Sequence, residues 1–380
     1  MYRMELKFLP SRPSTLPLAV MCLLVFAATP AAPAQDEPGS GLVSDHLGAP
    51  MRVRDFTFPN ILVLGFAPQP AASIGKGRYA IEMHGSLVND FQASPAVEEY
   101  LESSRNGDRR PLDLTDANVI RNLPDGQAYY IDAEFAYYDF AFHYGLTERL
   151  DVSLGWSYYD LGRGELDGTI FDFHDSYGFS NQGREFVADD QFQVVLGFGD
   201  DDLVILQAPS SGAGDPNLSL RYAIPGPGRW DFNVAGTVKF PLASEDTLSS
   251  GSTDYGGLLT ADWRGRRNAV MFNLSIVKAG NIDPLEFDPP ILPALDVSWL
   301  HGFGQTRRLR SFFQVLMADH AFRDVVDSGL SEPEFQLTVG LKWQTRHLGV
   351  VGFGLTENLL NYDNTPDIGL HLSWGFLSGG

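Results

Sequence analysis

Cysteine is almost absent: Cys22 is the single one in 380 residues. It lies inside an apolar run and is followed by Leu23, Leu24 and Val25, which is not how a lipidation site ends. Once that run is removed, disulfides, thiol chemistry and cysteine metal sites are excluded. Long hydrophobic runs are missing after residue 28, and the mean hydropathy is -0.11, so a helical membrane protein is excluded. Positive charge is scarce, with 27 Lys and Arg against 48 Asp and Glu and a net charge of -21. Such a chain repels phosphates, which excludes nucleic acid as a partner. No Gly-x-Ser-x-Gly elbow and no zinc-type spacing occur, and the serine-rich run 244–252 reads as a polar loop. His143, His301, His320 and His347 stand singly. No enzyme activity, cofactor or metal is therefore expected.

What is present begins with Arg3, Lys7 and Arg12, an apolar run over 16–28, and Ala32-Pro33-Ala34. These are the three parts of a secretory signal, with cleavage expected after Ala34; the run is too short for the roughly 18 to 20 residues of a spanning helix. Aromatics at 12% and 39 glycines favour a transmembrane β-barrel over a large soluble β-sandwich, because rings gather at membrane interfaces.

The pattern agrees. Residues 367–376 place Ile368, Leu370, Leu372, Trp374 and Phe376 at every second position, with Asp367, Gly369, His371, Ser373 and Gly375 between. A period of two puts one face in an apolar medium and the other in a polar one. The same alternation recurs at 77–88, 128–144, 150–158, 217–224, 230–240, 253–263, 268–277, 292–299, 309–317, 335–343 and 348–355. Within 128–144 the apolar phase changes from Ile131, Phe135 and Tyr137 to Phe140 and Phe142, which reads as a bulge.

The fold class is thus all-β: a transmembrane antiparallel β-barrel of about 12 strands, range about 10 to 14. Residues 35–76 read as a periplasmic arm or partial plug, and 77–380 as the barrel. Long links alternate with short turns that carry Arg149, Arg229, Arg264, Arg266, Arg267, Arg307, Arg308 and Arg346. Barrels of the bacterial outer membrane place short turns in the periplasm and long loops outside. The longest loop, 159–216, reads either as an inward constriction or as an external surface. Its Asp189, Asp190 and 200–202 could bridge lipopolysaccharide phosphates through divalent cations, although a solvated acidic loop suits the lack of ligand spacing better.

Arg52-Val53-Arg54-Asp55, the stretch 167–175 continuing to Asn181-Gln182-Gly183-Arg184-Glu185, Gly212-Ala213-Gly214-Asp215, the 251–256 block and Pro366-Asp367 resemble the domain of unknown function 3187 family of bacterial outer-membrane proteins. The resemblance implies a barrel and an outer-membrane address. It transfers no catalytic or binding residues. The chain departs from many such barrels in carrying Leu377-Ser378-Gly379-Gly380 after the terminal aromatic Phe376, through which the barrel-assembly machinery is expected to engage it.

Parity assigns a lumen-facing set: Glu82, His84, Asp132, Glu134, Asp151, Arg221, Lys239, Asp262, Asp296, Lys342 and His371. Charges of both signs line a narrow hydrated pore or pair with one another and close it. The leading expectation is a passive pore or conduit for a small solute, set among outer-membrane lipid and lipopolysaccharide. A sealed structural or envelope-maintenance barrel is the alternative, and a lipid-modifying enzyme is third.

Overall fold

The computed structural model describes residues 47, 49–123, 127–161, 166–178, 181–197, 203–243, 249–283, 287–324, 329–345, 348–358 and 365–378. The signal stretch 1–34, residues 35–46, Asp200 to Asp202, most of the serine run, Arg346, His347 and the tail 379–380 lie outside the described residues.

Among the described residues fifteen strands form, in the order β1 (Tyr79–Ala93), β2 (Ala128–Gly145), β3 (Leu150–Leu161), β4 (Phe192–Gly197), β5 (Leu203–Ile205), β6 (Gly212–Ala213), β7 (Asn217–Pro225), β8 (Trp230–Lys239), β9 (Asp254–Arg264), β10 (Asn268–Lys278), β11 (Ile291–Phe303), β12 (Leu309–Ala318), β13 (Glu334–Gln344), β14 (Val350–Glu357) and β15 (Ile368–Leu377). Twelve of them, β1 to β3 and β7 to β15, close into an antiparallel ring: β3 pairs with β7, and the seam joins β1 to β15 from Ala80↔Leu377 to Asn89↔Ile368. Closure gives each of the twelve ring strands a partner on both sides, which is what a strand structure in lipid requires.

The alternation works as the sequence implies. On β10, Phe272, Leu274 and Ile276 point out and are exposed, while Met271, Asn273 and Ser275 point in and are buried. Leu154, Trp156, Leu220, Tyr222, Trp299, Leu341, Trp343 and Phe353 continue the outer band on other strands. No described residue covers the band, whose natural contact is hydrocarbon, and the molecule is a transmembrane barrel.

One end carries the short turns after β2, β7, β9, β11 and β13; the other carries the long links. At the long-link end the wall rises beyond the band on one side. There β4 pairs with the start of β2 (Ala128↔Gly197 to Ala133↔Phe192), β5 pairs with β4, and β6 with β3. The 159–216 loop therefore extends the wall, in place of the constriction or free surface expected of it. Helices α1 (Pro95–Arg105), α2 (Leu114–Ile120) and α3 (Asp167–Tyr177) also belong to the long links. Val97 and Leu101 of α1 and Ala117 and Ile120 of α2 pack with Phe91, Tyr130 and Val195 in a small apolar core outside the ring.

The expected bulge in β2 does not occur. The β1–β2 register runs unbroken from Tyr79↔Tyr144 to Ala93↔Tyr130. What changes is the medium. Near the short turns β2 has lipid outside, so Phe142 and Tyr144 point outward and are exposed. Higher up, the apolar material lies inside the ring, and Tyr129, Ile131, Ala133, Phe135 and Tyr137 face it.

Candidate functional site: the filled lumen

That inner material is the segment ahead of β1. The described residues 49–64 are nearly all buried, and they share one apolar cluster with the wall. Leu47 starts at the short-turn end: a Cβ added to Gly375 would stand 2.7 Å from Leu47 Cδ2. Met51 lies over β14, where added Cβ atoms at Gly352 and Gly354 would both meet it at 3.0 Å. The bare backbone of these glycines makes the groove in which the ascending arm lies. Phe56 packs edge-on against Tyr137 (5.3 Å between ring centroids) and lies flat on His371 at 6.0 Å. Burying such a ring contributes about 1.5 to 3 kcal/mol.

The chain turns at the long-link end. Phe58 N–H donates to Asp90 (3.0 Å), Asn60 Nδ2 to Glu334 (2.7 Å) and to the carbonyl of Asp319 (3.2 Å), and Ala321 N–H to Asn60 Oδ1 (2.9 Å). The Arg54 guanidinium braces the turn from within by donating to the carbonyls of Asn60 (2.9 Å) and Val63 (2.8 Å). His320 sits over the tip: its Nε2 donates to Phe58 O at 3.1 Å while Nδ1 accepts from Phe322 N–H at 3.2 Å. Burial lowers its pKa to about 4, against the opposing pull of Asp55 and the Phe58 carbonyl. It is therefore neutral at pH 7.

The descending arm is held by hydrogen bonds to wall carboxylates. Leu64 N–H donates to Asp254 (2.7 Å), Ala71 N–H to Asp262 (2.8 Å) and Ser73 Oγ to Asp151 (2.7 Å). At the end Gly77 N–H donates to Gly145 O at 2.8 Å, again beside the short turns, and β1 begins.

Nine of the eleven candidate residues face this lumen. Lys342 donates to the carbonyls of Leu47 (3.4 Å), Ala49 (2.7 Å) and Pro50 (3.1 Å). Arg221 donates to Pro70 O (2.5 Å), and Lys239 to Leu62 O (3.2 Å) while pairing with Asp215 and Asp254, both at 3.1 Å. Asp151 and Asp262 bind the arm as described. Thus five of the nine grip the inserted segment, a role that parity alone does not reveal. His371 bonds Ser86 (2.9 Å) and Thr356 (2.8 Å), His84 contacts Ser86 at 3.4 Å, Glu82 meets His143 at 3.2 Å, and Asp296 accepts from Ser298 at 2.6 Å.

Asp132 and Glu134 are not in the lumen. They share the outward face of β2 with Tyr130, where Asp132 accepts from the Tyr130 hydroxyl at 3.0 Å. The sequence suggested otherwise because hydrophobic neighbours were read as lipid-facing when they face the plug. Glu134 joins Asn89, Asp167, Arg184 and Asp367 in a buried polar cluster beneath the long loop. Arg184 binds Asp167, Asp367 and Asn89 Oδ1, and its guanidinium lies 4.4 Å over the Phe91 ring. Carboxylate oxygens of Glu134, Asp167 and Asp190 approach one another closely enough for a cation, but Arg184, Asn89 and the backbone N–H groups of Leu166 and Asp190 already satisfy Glu134 and Asp167. The residues missed from sequence were those of the insert, Arg54, Asn60 and Met51, because a segment without regular structure has no period to read.

A family model described as "Protein of unknown function (DUF3187)" matches residues 112–377. No curated relative matches the chain. Among solved structures, similarity is found to an outer membrane channel from Pseudomonas putida F1, with a TM-score of 0.49 and 9% identity over 82% of this chain and 99% of that one. BamA from Haemophilus ducreyi lacking POTRA domains 1–3 gives a TM-score of 0.29 at 9% identity, over 67% of this chain and 60% of that one.

Proposed function

From the premise that the chain belongs to the DUF3187 family of proteins of unknown function, we propose that it is an outer-membrane conduit for a small solute, closed at rest by residues 47–76. Short turns face the periplasm and long links the exterior, as in bacterial barrels generally. The precursor loses its signal near Ala34, reaches the membrane through assembly machinery that reads the strand ending at Phe376, and sits among lipid and lipopolysaccharide. One observation carries the conduit reading: much of the insert's polar anchorage is to charged wall residues, Lys342, Arg221, Lys239, Asp151, Asp254 and Asp262. When the insert leaves, those groups face each other across a lumen that water enters, and they become a selectivity lining.

The alternative is a permanently sealed barrel, favoured by the single apolar core that insert and wall share. Planar-bilayer recordings of the mature full chain and of Lys342→Met separate the two. Rare openings in the parent that become frequent in the variant support the conduit. Silence in both, with heat-modifiable β-structure intact, sinks it.

A further inference from the structure

Outside the ring, at the short-turn end, three polar side chains sit side by side in a band that is otherwise apolar. Asn268 of β10 is directly opposite His301 of β11, and His301 is directly opposite Ser311 of β12. Parity points all three outward. Asn268 shares its face with Val270 and Phe272, His301 with Trp299 and Phe303, and Ser311 with Leu309 and Phe313. All three are half-buried. Directly opposed residues have Cβ atoms about 4.5 to 5.5 Å apart, so a serine hydroxyl is within rotamer reach of the imidazole beside it.

The ring is oriented. His301 Nδ1 donates to Asn268 Oδ1 at 2.8 Å, which leaves Nε2 as the basic nitrogen. Trp299 and Phe303 flank the imidazole, at 5.9 and 4.9 Å between ring centroids. An orienting amide, an imidazole with its basic nitrogen available and a neighbouring hydroxyl form the constellation that activates a serine nucleophile, and such sites are recognised by geometry, not by sequence order. No strand-to-helix elbow is needed, because the β-ladder itself supplies the spacing.

We propose that Ser311, His301 and Asn268 form a lipid-facing acyl-ester hydrolase site whose substrate is a glycerophospholipid of the surrounding leaflet. The site lies within a few residues of the turn 265–267, whose Arg266 and Arg267 are exposed and suited to a headgroup phosphate. An acyl ester sits just below its phosphate, level with this interfacial row of polar and aromatic side chains. In the reaction, the Ser311 hydroxyl proton passes to His301 Nε2 as Oγ bonds to the ester carbonyl carbon. Collapse of the tetrahedral adduct breaks the ester C–O bond, and His301 returns the proton to the departing lysophospholipid alkoxide. Water repeats the sequence on the acyl-Ser311 ester, releasing a fatty acid and regenerating the hydroxyl. Asn268 is a positioning residue.

The test treats the refolded full mature chain in mixed phospholipid–detergent micelles with a fluorophosphonate probe, maps the adduct by mass spectrometry, and assays fatty-acid release in parallel. Phosphonylation at Ser311 and a release rate that falls at least about a thousandfold in Ser311→Ala and His301→Phe are expected. Asn268→Ala should lower kcat and shift the pH–rate profile, whereas Asn268→Asp should recover much of the rate. Arg266→Gln with Arg267→Gln should raise KM and leave kcat unchanged. Absence of both labelling and release from protein that retains heat-modifiable β-structure overturns the assignment, as does release that Ser311→Ala leaves intact. Conductance plays no part in these readouts, so the fate of the conduit reading does not affect them.

Discussion

Replacing Lys342 by methionine tests how firmly the lumenal insert is held. The ammonium has three protons and gives them to three carbonyls of the ascending arm, two at good distance (2.7 and 3.1 Å) and one long at 3.4 Å. A hydrogen bond from a charged donor contributes about 1.5 to 3 kcal/mol, so the two short bonds amount to about 3 to 6 kcal/mol. Against this, methionine is of similar length and spares the cost of burying an ammonium, several kcal/mol in itself. The net loss of docking free energy is then about 2 to 3 kcal/mol, because Met51, Val53 and Phe56 stay buried in the shared core. This corresponds to roughly a 30- to 150-fold rise in the undocked population at equilibrium. The assay is single-channel open probability, with protease nicking in 47–76 as a second probe. An open probability within a factor of two of the parent, in correctly folded barrels, refutes the premise that these bonds hold the insert.

Three further outcomes are expected. Gly354→Leu places a Cβ 3.0 Å from Met51 Sδ and 3.3 Å from Phe312 Cζ, and this overpacking should weaken docking by about 1 to 3 kcal/mol and raise nicking of the insert. His320 is buried neutral with its pKa lowered from 6.5 to about 4, so the exposed form binds the proton more readily; the tip contact is fully stable above about pH 6.5 and loses up to about 3 kcal/mol as pH falls to 4. Hydrogen exchange at 58–63 should accelerate over that interval, and His320→Gln should flatten the response. Arg184→Met leaves Asp167 and Asp367 buried without their cation and should cost about 3 to 5 kcal/mol. Burial already raises Asp367 against the pull of Arg184, so the loss should shrink as pH falls and Asp367 takes up its proton, measurable as a recovery of thermal stability.

The strands were legible because lipid on one side and a polar interior on the other impose a two-residue period, clearest on β10 and β15. That code reports the medium, not the direction. On β2 the code inverted without a change of register: Ile131 and Phe135 face an apolar insert, Phe142 faces lipid, and Asp132 and Glu134 were placed on the wrong side accordingly. The lumenal charges on β7, β8, β9 and β13 were legible as inward-pointing. What they bind was not, because the carbonyls of Leu47, Leu62 and Pro70 belong to a segment whose place is set by long-range contacts alone. The row Asn268, His301 and Ser311 was hidden for a similar reason. It exists only across two strand pairings, and each residue taken alone is an ordinary interruption of an apolar face.

The described part of the insert begins beside Gly375 and ends beside Gly145, both at the short-turn rim, with its tip at the far end. Topologically it is a finger in a glove, not a thread through a needle's eye. A finger enters or leaves a finished ring without opening the β1–β15 seam or breaking any hydrogen bond between wall strands. The ring can thus close first and fill afterwards, and withdrawal towards the same rim retraces the path of entry.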